Sequence, residues 1–120
     1  MTSLFYVYGY ILNPSDSEFG DTVELLSDGA VFVNDDGDIV VRDKEIKPPI
    51  MVFPIMHPYS VVSIYGHWFV ALSFAPALVD RATCETLGGE WEDNYVEEFD
   101  RFLHNNVGPS ARGQRYIVKA

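Results

Sequence analysis

Lysine and arginine are missing from the first third of this chain: Met1 to Val41 contains neither, although acidic residues recur through it. Over the whole sequence, 8 basic residues stand against 18 acidic ones, and the formal net charge is −10. A surface that binds nucleic acid nonspecifically needs clustered Lys and Arg to neutralise phosphates, so the shortage argues against direct nucleic-acid binding. The charge favours a basic partner, although it can also serve solubility alone.

Cysteine is nearly absent as well. Cys84 is the only one, which excludes an internal disulfide and a thiolate metal site. A reducing compartment is the simplest location, so we expect a cytoplasmic protein. The start, Met1-Thr2-Ser3 followed by aromatic residues, lacks the positive region and the cleavage site of a signal peptide.

A long apolar run is also lacking. Pro48 to Val79 carries no charge at pH 7 apart from its histidines, but its longest proline-free part is Tyr59 to Ala75. That part is shorter than the ~20 apolar residues of a membrane-spanning helix and contains serines, a glycine and a histidine. The segment therefore predicts buried strands and no membrane association.

The first half of the chain has the pattern of strands. Leu4 to Leu12 is rich in aromatic and branched residues and ends at turn formers, and Thr22 to Leu26 is a second, shorter candidate. Ala30 to Val33 and Ile39 to Arg42 predict a hairpin, since Gly37 between them can supply the positive φ of a tight turn.

The uncharged segment continues this pattern. Ile50 to Met56 contains Pro54, which predicts an edge strand. Ser60 to Tyr65 and Trp68 to Phe74 predict either two strands around a Gly66-His67 turn or one long bent strand. Both pieces are apolar at nearly every position, as in strands with both faces covered.

The period changes after Pro76. Residues 77–87 predict a short helix closed by Gly88-Gly89, and residues 90–104 an amphipathic helix with its aromatic stripe on one face. Gln114 to Val118 predicts a last strand. With 120 residues and 48% hydrophobic content, we expect a single domain of the α+β class. Its sheet should be largely antiparallel, with both helices packed on one side.

No motif in the sequence identifies a reaction. The oxygens of Asn34 to Asp38 suggest calcium, but strands flank this loop where an EF-hand has helices, so a solvated turn is the better interpretation. His57, His67 and His104 show no paired spacing, and Cys84 has an acidic neighbour that disfavours a thiolate. We therefore expect no metal, no cofactor and no enzymatic activity.

Two acidic groups remain as the candidate partner-binding residues. One lies in the predicted hairpin and the other in the predicted acidic helix, where like charges at helical spacing carry a small stability cost unless a partner offsets it. The alternative is an ordinary solvated surface. The candidates are Asp35, Asp36, Asp38, Glu90, Glu92, Asp93, Glu97 and Glu98.

These observations favour a small acidic protein that binds a basic surface of a partner and blocks it. A surface that normally holds nucleic acid is one such target, and phage anti-defence inhibitors and toxin-neutralising immunity proteins offer an analogy of charge and size. The alternative is a structural or assembly subunit in which the uncharged central segment contributes to a homo-oligomer interface, and a small enzyme without a recognisable motif is the third hypothesis. The partner-binding hypothesis is compatible with a monomer or a small homo-oligomer.

Overall fold

The computed structural model describes residues 4–56, 58–77 and 93–119. These residues form an α+β fold with a mostly antiparallel sheet, which confirms the predicted class. The elements are β1 (Leu4–Leu12), α1 (Phe19–Leu26), β2 (Val31–Val33), β3 (Ile39–Val41), β4 (Ile50–Pro54), β5 (Ser60–Ile64), β6 (His67–Ala77), α2 (Val96–Asn106) and β7 (Gln114–Lys119).

Five strands are hydrogen-bonded in the order β4-β5-β6-β1-β7, and β2 and β3 form a separate two-stranded sheet. The chain divides into two compact units, one of Met1–Tyr10 with Ala71–Ala120 and the other of Ile11–Val70. The single domain expected from the chain length stays a prediction.

The Ile11–Val70 unit has its core around Trp68. The indole ring stacks on Phe53, with centroids 6.2 Å apart, and meets Phe19 of α1 edge-on at 5.9 Å. Strands β4 and β5 pair antiparallel from Ile50↔Ile64 to Pro54↔Ser60, and β4 lies at the sheet edge as Pro54 predicts. Apolar burial thus links the helix to these strands.

The prediction of a strand at Thr22 to Leu26 is wrong, because this segment belongs to helix α1. Phe19, Val23 and Leu26 are its buried residues, and their spacing of four and three places them on one face. The helix ends in paired bonds from the N–H of Asp28 to Leu25 O and from the N–H of Gly29 to Glu24 O. This is a Schellman ending, with Asp28 at φ 54° in the left-handed position.

The unit of Met1–Tyr10 and Ala71–Ala120 is organised around β1 and α2. Strand β1 pairs antiparallel with β7 from Leu4↔Lys119 to Gly9↔Gln114. Helix α2 buries Phe99 and Leu103 completely. The Phe99 ring lies 5.9 Å from the Tyr8 ring of β1, so an aromatic pair fixes the helix against this strand.

Several predicted boundaries differ from those in the structure. The turn between β5 and β6 is Tyr65-Gly66, one residue earlier than predicted, and both residues have positive φ. Ala77, predicted to begin a helix, ends strand β6, and the rest of the predicted helix 77–87 lies outside the described residues. Within the predicted helix 90–104, residues 90–92 lie outside the described residues, and α2 runs from Val96 to Asn106 after a turn at Asn94 and Tyr95.

The predicted hairpin is confirmed as β2 and β3. Val31, Phe32 and Val33 pair with Val41, Val40 and Ile39, and the N–H of Gly37 donates to Asn34 O at 3.0 Å. Gly37 has φ +86°, so the loop is a type I turn followed by a left-handed residue, a common three-residue hairpin connection. Gly37 therefore has the positive φ that was predicted for this turn.

We expect Gly37→Val to lower the free energy of unfolding by about 1 kcal/mol or more. A Cβ at this position meets nothing within 4 Å, so the cost is conformational and not steric. Gly37→Asn is the matched control, since asparagine tolerates the left-handed region and should retain most of the stability. Urea unfolding of the three proteins measures the difference. Unchanged stability of the valine variant would contradict the strain at this turn.

Candidate partner-binding surface

The acidic tip of the hairpin is held in shape by one side chain. Asn34 Oδ1 accepts hydrogen bonds from the N–H groups of Asp36 at 3.0 Å and Asp38 at 2.9 Å, and the N–H of Asn34 donates to Asp38 O at 2.9 Å. These bonds use backbone groups of the aspartates and leave their carboxylates unengaged. Asp35, Asp36 and Asp38 are all exposed, so three predicted site residues stand together on one ordered loop.

Helix α1 adds acids to this tip that the sequence interpretation did not include. A Cβ at Gly20 would lie 3.2 Å from the Val33 side chain, so the missing side chain lets α1 approach β2 closely. Val33 directly precedes the hairpin loop. The contact therefore places the start of α1 beside the loop, where a shallow depression is lined by Pro14, Asp16, Ser17, Phe19, Gly20, Asp21, Glu24 and Val33.

A second shallow depression follows along α1. It is lined by Asp21, Glu24, Leu25, Asp28, Gly29 and Arg42. The guanidinium of Arg42 is already engaged, since its Nε donates to Gly29 O at 2.6 Å and the group lies 4.7 Å above the Phe32 ring. Leu25, in contrast, is 70% exposed among the acids.

Together the acids of the hairpin loop and of α1 form what we call the hairpin–helix surface, on two elements that meet where Gly20 lies against Val33. It carries one basic side chain, Arg42, among the described residues that line it. None of its carboxylates forms an ion pair with another described residue, so their charge is available to a partner. The surface consists of Asp16, Asp21, Glu24, Asp28, Asp35, Asp36 and Asp38.

The acids near α2 form a second group in the other unit. Glu97 and Glu98 are exposed in the first turn of α2, where the helix dipole stabilises negative charge. Asp93 precedes the helix and lies 3.8 Å from Arg115, an exposed pair that contributes little. Glu90 and Glu92 lie outside the described residues. We call Asp93, Glu97 and Glu98 the helix-start acids.

Asp100 differs from the neighbouring acids because it is part of the fold. Its Oδ1 accepts a hydrogen bond from the N–H of Gly113 at 2.9 Å, and the side chain is half-buried. The bond ties the loop after α2 back onto the helix. A carboxylate used in this way is a poor candidate for partner binding.

The residues considered for metal or nucleophilic chemistry do not converge where the structure shows them. His67 and His104 are exposed on different elements, and His57 and Cys84 lie outside the described residues. Over residues 4–56, 58–77 and 93–119, no group of three or more His, Cys, Asp or Glu side chains is arranged to hold a metal ion. In that same part of the chain, neither helix has the length and apolar character to cross a membrane.

Comparison with protein-family models, with curated proteins and with solved structures found no match to this chain.

A signal for the missed part of the surface is present in the sequence. Glu18, Asp21, Glu24 and Asp28 recur at intervals of three or four, and Phe19, Val23 and Leu26 recur out of phase with them. This is the pattern of an amphipathic helix with an acidic outer face. The predicted element began only at Thr22, after the turn formers Asn13 to Asp16, and so it omitted the first turn of α1, which begins at Phe19.

Proposed function

We propose that this chain is a small acidic binding protein that attaches to a basic surface of a partner protein and blocks it. The observation that carries the proposal is the hairpin–helix surface, where α1 and an ordered loop both carry exposed carboxylates and α1 contacts the strand that leads into the loop. Asn34 fixes the loop before binding, so little conformational entropy is lost when a partner engages it.

The physical route combines steering and anchoring. Clustered carboxylates raise the rate of encounter with a positively charged surface. Leu25 lies among these carboxylates and is 70% exposed, so a partner that covers it gains hydrophobic contact. A basic surface that normally holds phosphates is suited to such carboxylates, so we propose a nucleic-acid-handling protein as the partner and the cytoplasm as the location.

The uncharged segment does not add support for the assembly alternative. Val61–Ile64 of β5 and Trp68–Leu72 of β6 are buried within the chain itself. These residues of the uncharged segment therefore belong to the core of the chain and are not exposed for an oligomer interface. An assembly subunit has to associate through other residues.

The proposal is tested by affinity capture from an extract of the native host at low salt, followed by association kinetics with the captured partner. We expect the triple variant Asp35→Asn, Asp36→Asn, Asp38→Asn to lower the on-rate on the order of 10-fold, because steering depends on clustered charge. The wild-type on-rate should fall with added salt, since exposed charges are screened beyond ~10 Å at 0.1 M.

The helix-start acids provide a matched variant of similar charge change in the other unit. Asp93→Asn, Glu97→Gln and Glu98→Gln are also predicted to slow association, with the fold intact. Because α2 begins at Val96, Asp93 and Glu97 do not share that helix, so the stability cost expected of like charges at helical spacing does not apply to this pair within α2. Equal on-rates for wild type and both triple variants across a salt series would contradict steering and indicate that the negative charge serves solubility alone.

A further inference from the structure

The two outer edges of the β2–β3 hairpin differ in whether the rest of the described chain covers them. The β2 edge is covered: the Val31 N–H donates to Ser27 Oγ at 3.0 Å, and Ser27 Oγ lies 3.3 Å from Val31 O. Gly20 of α1 lies against Val33 on the same strand. Helix α1 and its C-terminal turn therefore close this edge.

The β3 edge is open. In an antiparallel pair, hydrogen-bonded residues alternate with residues whose backbone groups point outward. The bonds from Asn34 N to Asp38 O and from Arg42 N to Ala30 O fix the phase, so Val40 bonds inward, and Ile39 and Val41 present their N–H and C=O groups outward. Among the residues that the structure describes, these outward groups have no hydrogen-bond partner, and no further strand pairs with β3.

We propose that the outer edge of β3 accepts an extended, basic segment of the partner protein as an added third strand. This inference rests on the proposed function and names its mode of recognition. Backbone bonds to Ile39 and Val41 would supply affinity, and side chains that alternate along the added strand would supply specificity.

Charge and exposure select the occupant. The acidic end of this edge is the one at the hairpin loop, where exposed Asp38 directly precedes the strand and follows Asp35 and Asp36, whereas Asp43 beyond the strand lies between Arg42 and Lys44. Ile39 is 37% exposed and Val41 is half-buried, so apolar surface accompanies the open backbone groups. An incoming strand that alternates Lys or Arg with branched apolar residues complements both features.

Amide hydrogen exchange tests the added strand directly. The probe is a blocked peptide of alternating Lys and Val, added to the full chain at saturating concentration. Exchange at Ile39 and Val41 should slow by at least about tenfold, which corresponds to about 1.4 kcal/mol. Val40, bonded to β2 already, should change little. Failure of the peptide to bind, or binding without slowed exchange at Ile39 and Val41, would overturn the inference.

A proline variant removes one outward donor. Val41→Pro deletes the outward N–H without touching a bond of the hairpin, and Val41→Thr is the control that keeps both the N–H and the branched shape. We expect at least a tenfold loss of peptide affinity for Val41→Pro and near wild-type affinity for Val41→Thr. Equal affinity of the two variants would contradict strand addition. If Val41→Pro disrupts the hairpin, the exchange experiment on the wild-type chain still tests whether a strand is added at β3.

Other occupants give different results. A Glu–Val peptide should not protect Ile39 and Val41, and equal protection by it would overturn the choice of a basic segment. Protection that rises with protein concentration alone would assign the edge to a second copy of this chain and overturn the proposal. Peptide binding that depends on Asp35, Asp36 and Asp38 without protection of β3 would remove the added strand but keep the acidic binding function.

Discussion

Replacing Phe99 by alanine should lower the free energy of unfolding by on the order of 3 kcal/mol, the largest effect that we expect from a single truncation in this chain. Phe99 has 0% of its surface exposed and packs near Tyr8 of β1, with ring centroids 5.9 Å apart. The loss combines the removed apolar surface with a cavity between α2 and β1 that rigid neighbours fill only in part.

Phe102→Ala is the matched control for Phe99→Ala. Both residues lie on α2, but Phe102 is only half-buried, so its truncation removes less buried surface and leaves a more open space. Urea unfolding should therefore show a clearly smaller loss for Phe102→Ala. A fully stable Phe99→Ala protein, or equal losses for the two variants, would show that the inner face of α2 is assigned wrongly.

Elements with a clear local pattern were predictable from the sequence. Strand β1 has the predicted bounds Leu4–Leu12, and the hairpin follows from Gly37 between two apolar triplets. The buried position of Phe99 also follows from the aromatic stripe at helical spacing. In each case the residues that determine the structure lie close together along the chain.

Short segments and special turns could not be predicted in the same way. The five residues from Thr22 to Leu26 fit a strand as well as a helix. Burial of Phe19 against Trp68 stabilises the helix. The Tyr65-Gly66 turn needs positive φ at a tyrosine, at φ 48°, which local preference disfavours. Packing of the surrounding strands sets these outcomes, and it is not visible in a local window.

The acids of the candidate surface were predictable, but the packing of their two elements against each other was not. Exposure of Asp35, Asp36 and Asp38 follows from their charge and from the turn. Their proximity to the acids of α1 depends on the contact between Gly20 and Val33, which are separated along the chain. The role of Asp100 is likewise set by a distant residue, since its partner Gly113 lies beyond the end of α2. Such contacts decide which acids bind a partner and which hold the fold.

Gly113 lies at a crowded position beside two aromatic rings. A Cβ there would lie 2.8 Å from Phe99 Cδ2 and 2.8 Å from Tyr8 Cε1, closer than such contacts normally occur. Both rings are buried and pack against each other, so neither can move away without disturbing the other. The N–H of Gly113 is also held by Asp100, which prevents the loop from shifting outward freely.

Gly113→Ala should therefore lower the free energy of unfolding by roughly 1–3 kcal/mol, as overpacking of a filled core does. Gly108→Ala is the control in the same loop, because a Cβ at Gly108 meets nothing within 4 Å and should leave stability unchanged or slightly raised. Thermal and urea unfolding of both variants measure the difference. The double variant Gly113→Ala with Phe99→Leu frees space beside the new methyl group, so its loss should be smaller than the sum of the two single losses. Equal stability of the Gly108 and Gly113 variants would mean that the loop moves away from the rings at little cost, and the Asp100 hydrogen bond would then not hold it.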